Sequence, residues 1–245
     1  MSPSPPEHAA RPLRRPRVAP QLLALVCPGC ASALTLSPGA AAYPCRLCGR
    51  VCEPDGHSLR SVPVGYVDPT SAIAPRGQVQ LLPVGRCGAR VDVRSKRAAH
   101  PAAPGYVWEQ VRKSAARAGG RSDLPSIFVP AFALERTVIA RLGLRLLRAQ
   151  PALPRPEPAF SSQGGPSQGG GDLLPILLSE SDARIAAHFV YLALESDATP
   201  DLRAIDYELD LQDGSLLVIP ADYDRRFVHD ANWRLLLREF DGLLA

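Results

Sequence analysis

The sequence predicts an α+β fold: a small N-terminal module built on paired cysteines, a mixed α/β body with antiparallel strands, and a C-terminal helix-hairpin-helix unit. Three observations carry this. Two CxxC pairs stand close together near the N-terminus, Cys27-Pro28-Gly29-Cys30 and Cys45-Arg46-Leu47-Cys48. Valine-rich runs broken by Pro and Gly follow, then two stretches of helical periodicity. Further on, Ile205-Asp206-Tyr207-Glu208-Leu209-Asp210-Leu211-Gln212 alternates apolar and polar residues throughout, the period of a strand with one face in the core and one in water.

Taken in order, residues 1–20 are Pro- and Arg-rich and read as a disordered basic tail. The apolar run at 22–26 behind Arg11, Arg14, Arg15 and Arg17 imitates a secretory leader. It is too short for one, and it meets the first cysteine pair with no small-x-small cleavage site. Residues 21–56 hold the cysteine module. Residues 57–150 form a strand-rich region with two basic helices. Short strands are expected at 61–67 and 79–84, with frequent breaks, and a helix at 106–118 with Val107, Val111 and Ala115 on one face. A buried strand at 127–130 precedes a helix at 134–149, stopped by Gln150-Pro151. Residues 151–171, with spaced prolines and Ser-Gln-Gly-Gly repeats, are a linker or long exposed loop.

Residues 172–245 make an acidic α+β unit. Ser179 caps a helix with Asp182 three positions on, and Ile185, Phe189, Leu192 and Ala193 form its apolar face. The alternating strand turns at Asp213-Gly214 and returns as Leu216-Leu217-Val218-Ile219, which reads as a hairpin. Asp230 caps a final helix with Trp233, Leu236, Leu237, Phe240 and Leu244 on one stripe.

Composition narrows the class. No run approaches the roughly 18–20 apolar residues that span a bilayer, so no membrane span and a cytoplasmic location are expected. There, thiols stay reduced and paired cysteines hold metal more often than disulfides. The net charge of +4 conceals a split: 22 Lys/Arg against 9 Asp/Glu in residues 1–171, and 6 against 15 in 172–245. Such a split serves a polyanionic partner on one half, or lets the two halves attract each other.

Fourteen residues separate Cys30 from Cys45. A two-residue gap within each pair lets the chain turn tightly, so that both thiolates face one metal while backbone N–H groups face the sulfurs. Glycine at Gly29 and Gly49 is expected to supply the unusual backbone angles. The longer gap suits a hairpin through Leu34-Thr35-Leu36 and the Ser37-Pro38-Gly39 turn, which brings the second pair back beside the first. Cys27, Cys30, Cys45 and Cys48 then close a tetrahedral shell with no open position, the pattern of one structural zinc ion rather than a catalytic one. Iron suits the same S₄ set. A redox CxxC would stand alone in a βαβ context, which is not the case here. Cys52 is a possible substitute ligand that breaks the paired spacing, His57 a weaker one, and Cys87 reads as a lone thiol on a strand. Arg46 and Arg50 are placed to offset the net −2 of four thiolates and a divalent ion.

Over about residues 25–53 the chain resembles the zinc ribbons of transcription factors, RNA polymerase subunits and rubredoxin-like bacterial proteins. Cys45-Arg46-Leu47-Cys48-Gly49 matches their CxxCG form, and Ala31 departs from it at the first knuckle. The whole chain looks, less specifically, like uncharacterised bacterial zinc-ribbon proteins, a likeness that implies no activity.

The sequence carries no HExxH, GxxxxGK[ST] or strand-linked GxGxxG motif, and its five histidines lie in unrelated contexts, so no enzyme is expected. Asp206, Glu208 and Asp210 read as a solvated strand face. Arg112 and Lys113 on the first helix, with Arg141, Arg145 and Arg148 along one stripe of the second, are candidate phosphate contacts, without aromatic residues among them to stack on bases. Two functions follow. The first is a non-enzymatic zinc-binding adaptor or assembly protein acting through a protein partner. The second is a nucleic-acid-associated or transcription-linked protein using the basic half.

Overall fold

The computed structural model describes residues 25–56, 58–66, 79–100, 103–117, 124–134, 136–150 and 172–222. They form a mixed α+β structure. A small antiparallel sheet, ordered β1-β2-β3, comprises β1 (Tyr43–Pro44), β2 (Val51–Asp55) and β3 (Ser58–Val62). A larger mixed sheet runs in the order β4-β8-β5-β6, from β4 (Val64–Tyr66), β5 (Val79–Arg97), β6 (Ser126–Pro130) and β8 (Ala204–Asp222). The short β7 (Asp172–Leu173) lies parallel to the start of β5. The helices are α1 (Tyr106–Arg117), α2 (Arg136–Ala149) and α3 (Glu180–Ala198).

Two sequence expectations change at the centre of this sheet. The pieces expected as short strands around 79–84 belong to one strand of nineteen residues, and so do the two arms of the expected hairpin. β5 and β8 pair antiparallel from Val79↔Asp222 to Arg97↔Ala204. Asp213 and Gly214 do not reverse the chain. Arg86 faces Ser215 and Gly88 faces Gln212, so two residues of β8 stand opposite Cys87 alone as a β-bulge, with Asp213 at φ 46°. Arg94 is the extra residue of a second shift, between Val93 and Ser95. Pro83 sits inside β5 without harm. Its carbonyl accepts from Ala131 N–H, so its absent N–H points to the same side, at the junction where β7 and β6 both end. The final helix expected after Asp230 lies outside the described residues, as do 1–20, His57 and 151–171.

β6 is buried along its whole length because both its faces are covered. Phe128 packs with Leu142 and Leu146 of α2 and with Leu82, Val84, Leu217 and Ile219 of the sheet. Ile127 and Val129 join the core that holds Val107, Trp108 and Val111 of α1 and Ala183, Ala187, Val190, Tyr191 and Leu194 of α3. This corrects the face expected of α3: Ile185 is 62% and Phe189 44% exposed, and the stripe of Ala183, Ala187, Val190, Tyr191 and Leu194 is the one that turns inward. Close approach selects it. A Cβ on Gly85 would lie 3.2 Å from that of Ala183, and one on Gly143 of α2 would lie 2.5 Å from Val190 and 2.8 Å from the Phe128 carbonyl oxygen.

Part of the charge split is satisfied within the molecule. Among the described residues four ion pairs join residues before 171 to residues after it: Arg60–Glu180, Arg94–Glu208, Lys96–Glu195 and Arg148–Asp197. Lys96 and Glu195 have side chains only 2% and 1% exposed, and the Tyr191 hydroxyl donates to the other oxygen of Glu195, so this buried pair is held by an extra hydrogen bond. Asp206, Glu208 and Asp210 occupy the exposed face of β8 as expected, with Arg90 opposite Asp210. Beyond the end of α2, Gln150 adopts φ 41° and uses its buried side-chain amide as a strand would. It accepts from Ser126 N–H at 2.9 Å and donates to Ser126 C=O at 2.8 Å.

Glycine inside a helix ordinarily costs about 1 kcal/mol relative to alanine. Gly143→Ala is expected to reverse that sign, because the methyl meets strand backbone as well as Val190, and to destabilise by about 1–3 kcal/mol. Urea denaturation compared with wild type tests this, and a stabilised variant would show that the α2–β6 approach is looser than described.

Candidate metal centre

Two backbone hydrogen bonds define each cysteine turn, and the two turns share them. Cys27 N–H donates to Ser32 C=O at 2.8 Å, and Ala31 N–H donates back to Cys27 C=O at 2.9 Å. In the second turn Cys45 N–H donates to Arg50 C=O at 2.7 Å, and Gly49 N–H to Cys45 C=O at 2.8 Å. Both need a left-handed residue directly after the second cysteine. Gly49 takes φ 69° there and Ala31 φ 57°. The glycine expected to supply this freedom in the first turn, Gly29, is not at positive φ. It makes room instead: the guanidinium of Arg50 lies over it, 2.6 Å from where a Cβ would stand. Between the turns the chain reverses at 37–40, where Ala40 N–H donates to Ser37 C=O and Gly39 has φ 74°.

This path brings the four predicted sulfurs together. Those of Cys27, Cys30, Cys45 and Cys48 all lie within 4.8 Å of one another, with Cys27–Cys48 at 3.6 Å and Cys30–Cys45 at 3.5 Å. A tetrahedron of sulfurs about 2.3 Å from a zinc-sized ion has edges of about 3.8 Å, so the cluster has the dimensions of a closed S₄ shell. The Ser32 hydroxyl lies 3.1 Å from both Cys30 and Cys45, and Gly29 N–H donates to Cys27 Sγ. Burial pushes the Cys45 thiol up, but Ser32 and the N–H groups of Cys48 and Leu47 outweigh it and bring it down to about 6. Burial likewise opposes ionisation of Cys27, and the N–H groups of Gly29 and Cys30 override it. Burial carries Cys48 the other way, up to about 12, with three sulfurs beside it. Hydrogen bonding thus favours the ionised form at Cys27 and Cys45 while burial opposes it at Cys48, and a cation bound by all four sulfurs would release their remaining protons.

Cys52 lies outside the set of four. It is fully buried on β2, 4.0 Å from Cys27 Sγ, as a neighbour rather than a ligand, and burial together with the charge on Cys27 pushes its thiol up to about 12. Next to it, Glu53 reaches α3. Both its carboxylate oxygens accept from the first helical N–H, that of Glu180, at 3.2 Å. A negative group at a helix N-terminus is favourable. Ser179 completes that terminus with the capping box expected of it and Asp182. Arg60 on β3 bridges Glu53 and Glu180 at 3.3 and 2.7 Å. Below these charges Ala42 and Val51 share a core with Ala131, Ile176, Leu216 and Val218, so the cysteine module is fastened to the larger sheet by apolar packing as well.

The remaining candidates scatter. Arg112 pairs with Glu109 on its own helix and Arg148 with Asp197, while Lys113, Arg141 and Arg145 are exposed. His188 is half-buried against the Tyr207 hydroxyl at 3.1 Å. Cys87 is buried on β5 as expected and lines a cavity of about 30 Å³, large enough for water only, and burial raises its thiol above the ordinary value. Sequence reasoning missed Ser32, Glu53 and Arg60, because nothing in residue type or spacing marks an outer hydrogen-bond donor or an inter-element ion pair. Among the described residues no helix is long and apolar enough to cross a membrane.

Two predictions follow from this geometry. Ala31→Gly relieves a left-handed alanine and is expected to stabilise the metal-loaded module by about 1 kcal/mol, read as slower metal loss to a competing chelator. Faster loss would refute the strain. The second concerns acid. Hydrogen bonding to Arg60 holds the Glu180 carboxyl below its ordinary value, so its stabilisation is complete above the unfolded-state value and disappears as pH falls through the lowered one. Arg60→Gln is therefore expected to move the acid-unfolding midpoint to higher pH, as followed by far-UV circular dichroism, and an unchanged midpoint would count against the bridge.

Comparison with models of known families, with curated proteins and with solved structures finds no match to this chain.

Proposed function

We propose that the Cys27, Cys30, Cys45 and Cys48 centre holds one zinc ion in a zinc ribbon, that the ion is structural, and that the protein is a non-enzymatic cytoplasmic adaptor or assembly protein acting through a protein partner. A four-thiolate shell has no vacant position for substrate or water, which is the chemistry of a structural ion. Leu47 carries the second half of the reading. Between two ligand cysteines, this apolar side chain is 72% exposed, and Leu36 and Val26 of the same module are 59% and 43% exposed. A metal-braced turn that holds apolar side chains in water offers a rigid contact for another protein.

The nucleic-acid reading has less support. Two of its five candidates, Arg112 and Arg148, are engaged in ion pairs, and four pairs across the charge split use up basic groups internally.

Metal analysis of the purified protein is expected to find one zinc per chain, and iron or no metal would sink the first part. A photo-crosslinking residue at position 47 is expected to give one discrete protein adduct in the native host, lost on Leu36→Asp with zinc content unchanged. Absence of any adduct would sink the second part. A mobility-shift titration with duplex DNA and RNA between 50 and 200 mM salt is expected to show no specific complex, and a complex that weakens steeply with salt would favour the basic half instead.

A further inference from the structure

Five sulfurs meet in the cysteine module, and a tetrahedral ion uses four. The fifth, Cys52, is fully buried and belongs to the same small core as Cys27, Leu34 and Cys45. Its Sγ lies 4.0 Å from that of Cys27, only slightly beyond the 3.5 and 3.6 Å spacings between ligand sulfurs. β2 holds it in place, since Cys52 pairs with Tyr43 on β1 and with Ser61 on β3. A plain apolar residue would serve packing there equally well. What the thiol adds is chemistry.

On the reading that zinc fills the four-sulfur shell, we infer that Cys52 is the resolving thiol of a peroxide-sensitive zinc centre, forming a Cys27–Cys52 disulfide that releases the ion. The metal decides which sulfurs take which part. Cys30, Cys45 and Cys48 are each committed to a metal–sulfur bond, and Cys52 is the sulfur in contact with Cys27 that is not. Hydroperoxide attacks Cys27 first. The thiolate displaces hydroxide from the peroxide, breaking the O–O bond and forming an S–O bond, so Cys27 becomes a sulfenic acid and one hydroxide leaves. The oxidised sulfur is a weakened donor, and it leaves the shell when Cys52 captures it. The Cys52 thiol then attacks the sulfenic sulfur, the S–O bond breaks, an S–S bond forms, and the Cys52 proton leaves with the hydroxyl as water. In sum two electrons pass from two sulfurs to one peroxide. Three thiolates remain, the shell is open, and affinity for zinc falls. Closure asks the two sulfurs to move from 4.0 Å to the roughly 2.05 Å of a disulfide, a side-chain rotation with modest adjustment of the first turn.

The centre then reports oxidant through its own loss. Because β2 also carries Glu53 to the first turn of α3, the change is passed to that helix rather than confined to the module.

The test uses the full chain loaded with zinc. Hydrogen peroxide is added at a few-fold excess, zinc release is followed with a chromophoric chelator, and disulfides are mapped by peptide mass spectrometry without reduction. Wild type is expected to lose its zinc with a Cys27–Cys52 link as the major product, and to regain zinc after dithiothreitol. Cys52→Ala is expected to release zinc at least five-fold more slowly at the same peroxide, and to accumulate sulfinic acid at Cys27, which dithiothreitol does not reverse. Cys52→Ser, nearest in size, serves if the alanine variant does not fold, and the wild-type disulfide map alone decides if neither does. A Cys27–Cys30 or Cys45–Cys48 link as the main product, or an unchanged release rate in the variants, overturns the inference. A chain that carries no zinc before peroxide is added would instead overturn the structural-zinc reading, so the two failures are told apart.

Discussion

The pairing of β5 with β8 is the constraint on which the rest of the structure depends. Two strands of nineteen residues lie side by side, and β4, β6 and β7 attach to them. β5 comes from the basic part of the chain and β8 from the acidic part, and the pairing sets Arg90 opposite Asp210 and lets Arg94 bridge to Glu208, which also has Asp92 facing it. The inward face of the same ribbon, with Val91, Val93, Ile205, Tyr207, Leu209 and Leu211, packs against the helical core. Charge outside and apolar surface inside follow from one register, and a slip by a single residue would exchange them.

The cysteine module meets a different problem in the same molecule. About thirty residues with few large side chains bury little apolar surface, and a cation held by the four clustered sulfurs would stand in for the missing core. The two turns that make the shell are equal in their hydrogen bonds but unequal in their sequence, since alanine does in the first what glycine does in the second. The module is then attached to the body in three ways: through shared apolar packing, through the Glu53 carboxylate at α3, and through the direct run of β3 into β4. Its state and that of the body are mechanically joined.

Much of this was legible in the sequence. The four ligand cysteines, α1, α2, β6, the Ser179 cap and the alternating face of β8 all announce themselves through spacing or period. The failures have physical causes. Asp213-Gly214 is a strong turn signal, but an isolated strand cannot say whether its neighbour is the next segment or one more than a hundred residues earlier, and with β5 available the dipeptide became a bulge. Apolarity ranks Ile185 and Phe189 above Ala183 and Ala187, whereas close approach decides at two points, where Ala183 meets Gly85 and Val190 meets Gly143, and Tyr191 and Leu194 fill the rest of the buried face. Paired spacing sets Cys52 apart from the four clustered cysteines, as the structure does, but residue type gives no sign that it lies 4.0 Å from Cys27.

The distance between β5 and β8 along the chain has a consequence for synthesis. The last residue of β5, Arg97, faces Ala204, the first of β8. At ribosomal speeds of about 5–20 residues per second, roughly 5–20 seconds pass between their emergence, and the full partner strand comes later still. Throughout that interval a nineteen-residue strand has left the ribosome without its main neighbour. Its arginines at 86, 90, 94 and 97 and its lysine at 96 outnumber its single acid, Asp92, and this net positive charge keeps nascent copies apart by repulsion. Arg94 and Lys96 later take Glu208 and Glu195 as partners, so charge that ends in ion pairs first guards an unpaired strand.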